Sequence, residues 1–187
     1  MIMKNFEFTL VLENTVEFYD QMEDVLFQAG CDDALLSFRN GVAYLEFDRD
    51  SENLELAIIS AIQQVEQAGL PLSIKRVEPS DLVTSAEIAR RLNRSKQSIQ
   101  QLISGTRGNG DFPSPIAGVT AKTMLWSWQE VTAWFMSKGK LVDKSIFENA
   151  QTLKQLNESL DARKNETQFK NIQRITRLIK KRRSEFV

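Results

Sequence analysis

The sequence predicts an α+β fold on three observations. Apolar and polar residues alternate in several short runs before residue 80. Apolar residues recur every three or four positions in the stretches between and after those runs. Capping residues and glycines punctuate the boundaries. Phe6, Phe8, Leu10 and Leu12 alternate with Glu7, Thr9, Val11 and Glu13, the pattern of a half-buried strand. Residues 16–29 have helical spacing through Phe18, Met22, Val25 and Leu26, and Gly30 stops them. Residues 35–38 and 42–47 read as strands joined by Arg39-Asn40-Gly41, where Asn-Gly signals a hairpin. Residues 51–68 form a second amphipathic helix through Leu54, Ile58, Ile62 and Val65, ended by Gly69, and residues 72–77 a fourth strand. The order β-α-β-β-α-β is that of a ferredoxin-like split motif, assigned to residues 1–79. Such an architecture carries no function by itself.

Residues 84–103 are the most informative stretch. Thr84 caps a helix whose third residue, Glu87, is expected to reach back and complete a capping box. Ile88 and Leu92 share a face, Ala89 is small where a second helix must cross, and Asn93 falls at a turn that needs left-handed backbone. Ser95 caps the second helix, with Ile99, Leu102 and Ile103 facing the first. Lys96, Gln97, Gln100 and Gln101 are left outside, side chains able to donate to base edges and phosphates in a major groove. A plain helical hairpin shares most of this pattern. The coincidence of small, turn and apolar positions favours a helix-turn-helix.

Gly105-Thr-Arg-Gly-Asn-Gly110 breaks the second helix. Residues 112–116 read as a short edge strand because of Pro113 and Pro115, residues 118–123 as a turn, and residues 124–126 as a second short strand. Ser127-Trp-Gln-Glu130 is another capping box, opening a helix with Val131, Trp134 and Phe135 on its apolar side, and Gly139 ends it. Helix, turn, helix, hairpin, helix is the order of a winged helix-turn-helix, assigned to residues 80–140. Arg107, Asn109 and Lys122 are the wing's candidates for backbone contact, each weighed against a plain solvated loop residue. Trp126 and Trp134 are expected in the core rather than as stacking platforms, and Trp128 is left open between the two.

These residues carry a resemblance. Residues 82–135 look like the excisionase, prophage-regulator and MerR-type winged helix-turn-helix group. From about Phe6 to Phe135 the chain resembles a widespread set of bacterial helix-turn-helix DNA-binding proteins. The segments that match are Ala29-Gly-Cys-Asp-Asp-Ala-Leu35, Asp81-Leu-Val83, and Phe112-Pro-Ser-Pro115 followed by Leu125-Trp126. The resemblance implies a basic outer recognition face. Lys96-Gln97 fits it, whereas Gln100 and Gln101 are neutral, which lowers the expected phosphate affinity.

Composition narrows the chemistry. The chain has no histidine and one cysteine, Cys31, so Ser-His-Asp triads, Cys-His pairs, histidine-based metal sites and zinc fingers are excluded. No phosphate-binding Gly-rich loop occurs, and no apolar run reaches membrane-spanning length. Cys31 is expected as a half-buried thiol at the start of a strand. The net charge of −1 hides a division. Residues 1–80 hold five Lys/Arg against fifteen Asp/Glu, a net −10; residues 81–140 hold eight against four, +4; residues 141–187 hold eleven against six, +5. The basic charge travels with the motif and the tail.

Residues 141–187 form a helical basic tail. From 145 to 164 it lacks Gly and Pro, with Ile146, Ala150, Leu153, Leu156 (or Asn157) and Leu160 forming a heptad-like stripe that either dimerises or docks on the winged domain. From 169 to 183, Ile172, Ile175 and Ile179 run beside Lys170, Arg174, Arg177 and Lys180-Lys-Arg-Arg183, which lie along phosphates or form a solvated face.

The expectation is a cytoplasmic bacterial or prophage-type protein that binds double-stranded DNA in a sequence-specific way and regulates transcription. No catalytic residue, metal or cofactor is assigned, no membrane partner is expected, and a homodimer is. In the second helix, opened by Ser95, Lys96, Gln97, Gln100 and Gln101 would read bases. Arg91, Arg94, Ser98, Arg107, Asn109 and Lys122 would hold phosphates. The N-terminal domain would self-associate through an open sheet face near Val11, Val42 and Tyr44, recognise an unidentified protein or ligand, or compete with DNA through its charge. Two alternatives stand beside this. One is a protein-interaction adaptor, antitoxin-like or a phage-assembly factor. The other is a metal-dependent nuclease built on Glu46, Asp48 and Asp50, three carboxylates that, with no basic or histidine partner, better suit an acidic rim guarding a strand.

Overall fold

Alternation in the first strand sets the sheet. The structure, a computed structural model, describes residues 3–13, 21–141, 143–164, 173, 176 and 177. Among them β1 (Lys4–Glu13) is central, β2 (Ala34–Arg39) and β3 (Val42–Ser51) form a hairpin, and β4 (Ser73–Glu78) closes the other side. All neighbours are antiparallel, in the order β2-β3-β1-β4. The hairpin turns through Asn40 and Gly41, both at positive φ, as an Asn-Gly turn requires. Phe8 lies opposite Phe47 with rings stacked at 5.1 Å. With Leu10, Leu12, Ala43 and Leu45 they point to one face, covered by α1 (Met22–Gln28) and α2 (Leu54–Gln67). Asn53 caps α2 by accepting from the Leu56 N–H at 2.9 Å. The expected start of the first helix, with Val16 and Phe18, lies outside the described residues.

Two expectations for this part are refined. Val11 lies with Tyr44 on the sheet face away from α1 and α2, but it is itself buried, flanked on this central strand by the long side chains of Tyr44 and Arg76. Cys31 is fully rather than half buried, and burial pushes its thiol above the usual range. Arg49 was not foreseen. It is buried, clamps Asp33 with two 2.7 Å hydrogen bonds, donates to Ser60 and the Gly30 carbonyl, and lies 4.8 Å over the Phe47 ring. Every charge-bearing edge of this buried cation is satisfied, which is the condition for tolerating one.

The second part begins at β5 (Leu82–Val83), followed by α3 (Ser85–Arg91), α4 (Lys96–Ile103), β6 (Trp126–Ser127) and α5 (Trp128–Ser137). Val83, Ile88, Ala89, Ile99, Leu102, Trp126, Trp128, Val131 and Phe135 form its core. The expected hairpin between residues 112–116 and 124–126 is reduced to one bridge, Ala117 with Leu125. Trp126 pairs instead with Val83, forty-three positions earlier, since Pro113 and Pro115 leave the nearer segment short of donors.

α6 (Lys144–Lys164) docks rather than standing free. Its Leu153 and Leu160 enter the first core and its Ala150 the second. Asn157 takes both backbone groups of Val77 on β4, donating to the carbonyl at 3.0 Å and accepting from the N–H at 2.8 Å. Arg163 pairs with Glu66 and Lys164 with Glu13, whose carboxyl that bond lowers. Apart from residues 173, 176 and 177, the basic run of the tail lies outside the described residues. No helix among them is long and apolar enough to cross a membrane.

Candidate nucleic-acid interface

Local chemistry places α4. Thr84 accepts from the Glu87 N–H at 3.2 Å and Ser95 from the Ser98 N–H at 3.1 Å, so both helices start where their caps stand. Between them the Arg94 N–H bonds the Ala89 carbonyl and the Asn93 N–H that of Arg90, with Asn93 at φ 49°. This is a Schellman stop, with Asn in place of glycine. The buried side of α4, Ile99 and Leu102, then locks onto Ile88 and Ala89.

The Glu87 side chain makes different bonds from those of a capping box. Its carboxylate accepts from Arg90 at 2.6 Å and Arg91 at 2.9 Å, which lowers it to about 2. Both guanidiniums converge on this one carboxylate in charge-assisted bonds, and the backbone keeps only the Thr84 cap.

The eleven candidate side chains separate into groups. Lys96 and Gln97 are exposed on the first turn of α4 and engage nothing else among the described residues. Gln100 is exposed, but its Nε2 donates to Ser85 Oγ at 2.9 Å, so the amide is held across the two helices. Ser98 is half-buried, and its hydroxyl accepts from Arg107 Nη1 at 3.4 Å, which brings Arg107 alongside α4. Ser95 is exposed and used as a cap. Gln101 is half-buried; its backbone carbonyl holds the following loop through the Arg107 N–H and the hydroxyls of Ser104 and Thr106. Asn109 and Lys122 are exposed on loops, and no contact joins either to α4.

Arg91 and Arg94 are turned inward. The Arg91 side chain is only 13% exposed: it pairs with Glu87, donates to the Ser80 carbonyl and lies 5.1 Å over the Trp128 ring. Arg94 lies 4.8 Å over the Phe135 ring and donates to the Lys140 carbonyl at 3.1 Å. An aromatic face and a carbonyl hold each guanidinium against the fold.

The sequence did not point to a cationic cluster at the end of α5. Lys138 and Lys140 lie 5.8 and 5.6 Å from the Trp134 ring, and Asp111 accepts from Trp134 Nε1 and pairs with Lys138. Trp134 is half-buried, whereas Trp126 and Trp128 are buried, and Trp126 Nε1 donates to the Pro113 carbonyl at 3.1 Å. The only forewarning was the pair of lysines around Gly139. Beyond the bridge, Gly118 closes the turn at φ 76°; a Cβ there would fall 2.2 Å from the Thr123 carbonyl oxygen.

Glu46, Asp48 and Asp50 are exposed on β3, on the face away from α1 and α2. Among the described residues no three acidic or cysteine side chains are grouped as a metal site.

No family model, curated protein or solved structure matches this chain.

Proposed function

We propose that the protein binds double-stranded DNA as a transcriptional regulator, with α4 entering the major groove. The observation that carries this is the asymmetry of α4. Its inner side is fixed by Ile99 and Leu102, while Lys96, Gln97 and Gln100 stand on the outer side with Arg107 beside them. A rigid short helix with donors along one side matches what base-edge readout needs. In this reading Gln97 and Gln100 read bases and Lys96, Arg107 and Lys122 meet phosphates. Arg91 and Arg94 support the helix pair from within. The turn closed by Gly118 would be the wing of a winged helix-turn-helix. The order β2-β3-β1-β4 with two helices on one face supports a ferredoxin-like reading of the first domain.

The test is fluorescence anisotropy with mixed-sequence and selected duplexes across salt. Affinity is expected to fall with a log–log slope set by the phosphates neutralised, and Lys96→Ala to reduce that slope by about 1. Gln97→Ala is expected to relax base preference, losing roughly 1–3 kcal/mol of discrimination at one position. Binding that ignores salt, or that Gln97→Ala and Lys96→Ala both leave unchanged, rejects the reading.

One observation favours an adaptor instead. Ile116, Val119 and Met124 are exposed around the Gly118 turn, with Val119 at 70%. A protein partner seated there would be lost with Val119→Asp and would bind with little salt dependence.

A further inference from the structure

Between α2 and α6 runs a groove of about 390 Å³ whose apolar lining is Ile59, Ile62, Leu156 and Leu160. Ile59 and Leu156 are only half-buried, and Leu56, one turn earlier on α2, is 48% exposed. Leu56, Ile59, Gln63 and Glu66 follow one another at steps of three and four, so they share a side of α2. That side is distinct from the fully buried one of Ala57, Ile58, Ala61 and Val65. An apolar strip left open beside a core is a surface fit for another element. Both helices end together, where Arg163 pairs with Glu66 at 2.6 Å.

Residues 165–187 leave from that end of the groove. Among them only Gln173, Thr176 and Arg177 are described, and each is helical and exposed. Phe169, Ile172, Ile175 and Ile179 recur at steps of three and four, the spacing of one side of a helix. Lys170, Arg174, Arg177 and Lys181 take the opposite side. The length suits a return along the groove. Residues 165–168 are enough to reverse the chain between packed helices. Residues 169–183 then span about 20 Å as a helix, which matches the way back from residue 66 to residue 52. The charge suits it as well. Residues 51–68 contain no Lys or Arg, and Glu52 and Glu55 are exposed with no cation paired to either among the described residues. A returning helix brings Lys180-Lys-Arg-Arg183 to these two carboxylates.

We infer that residues 169–183 of this chain dock as a helix in the groove between α2 and α6, antiparallel to both. Ile172 then lies beside Gln63, Ile175 beside Ile59 and Ile179 beside Leu56. The apolar side is covered, and the basic side faces outward, where Arg177 is exposed. The inference does not depend on the DNA reading and is tested without nucleic acid.

Disulfide trapping in the full chain is the experiment. Leu56→Cys with Ile179→Cys is expected to close an internal disulfide under mild oxidation, the chain keeping its mass of 21.4 kDa without reductant. Leu56→Cys with Arg177→Cys, on the outward side, is expected to stay reduced. Cys31 is buried and stays in place. Hydrogen exchange of the untrapped chain gives a second readout. The amides of residues 172–179 are expected to exchange slowly in the wild type, and Leu56→Lys, at an exposed position, to speed them roughly tenfold while those of β1 keep their rates. The inference is overturned by the absence of an internal disulfide, or by closure as ready with Arg177→Cys as with Ile179→Cys. A disulfide joining two chains overturns it too, since the groove would then take the tail of a second copy. So do tail amides that exchange as a free chain does, or that Leu56→Lys leaves unchanged.

Discussion

At the scale of single residues, the cations near α4 divide by what lies within reach of each. Arg91 has a carboxylate, a carbonyl and an indole face around it; Lys96 has solvent. Arg91→Ala is therefore expected to lower stability by about 1–3 kcal/mol through the lost charged hydrogen bonds and packing. Lys96→Ala should leave the melting temperature unchanged. Thermal denaturation of the two variants side by side checks the division. Glu87 gives a pH dependence with a definite sign. Its carboxyl is lowered in the folded chain, so the stability it contributes is present above the ordinary carboxylate range. That contribution is lost as pH falls from that range towards about 2. Glu87→Gln is expected to flatten that part of the pH–stability curve. Gly118→Ala forces a Cβ against the Thr123 carbonyl at positive φ, with an expected loss of about 1–3 kcal/mol.

At the scale of elements, what was legible in the sequence was what short spacing determines. Thr84, Ser95 and Ser127 each cap the helix that they precede, because a cap spans only three residues. Asn93 and Asn40-Gly41 mark left-handed turns for the same local reason. The β-α-β-β-α-β order was read from alternation and from the glycines at helix ends. What escaped is set by partners far apart in the chain. Trp126 pairs with Val83, Gln100 is held by Ser85, Arg94 reaches Lys140, and Asn157 meets Val77 eighty positions away. None of these leaves a periodic trace. The heptad-like stripe fitted dimerisation and docking equally, since both need one apolar face; the amide of Asn157, which ends on a strand, shows that α6 docks within the chain. Asn157→Leu is expected to cost about 1–3 kcal/mol and to speed hydrogen exchange at the Val77 amide, which loses its acceptor.

At the scale of the whole molecule, α6 ties the two cores together. Leu153 and Leu160 complete the first, Ala150 touches the second, and ion pairs at Glu66 and Glu13 fasten its last turn. The two parts should therefore unfold as one. Calorimetry is expected to give a single transition, with Leu153→Ala lowering it by about 2–5 kcal/mol. Two separate transitions in the wild type would show that α6 does not couple them. The acidic charge of residues 1–80 is carried on a body rigidly joined to a basic helix pair, so the protein's field is dipolar despite a net charge of −1. In the proposed reading, such a field would orient an approaching duplex towards the α4 side.

The most direct test of that orientation is amide chemical-shift mapping of the full chain as a mixed-sequence duplex is added in dilute buffer. The account predicts that the largest shifts fall on Ser95–Gln101 and Arg107. It also predicts that the strand positions bearing Glu46 and Asp48 stay unmoved. Shifts centred elsewhere, or none at saturating duplex, would contradict it.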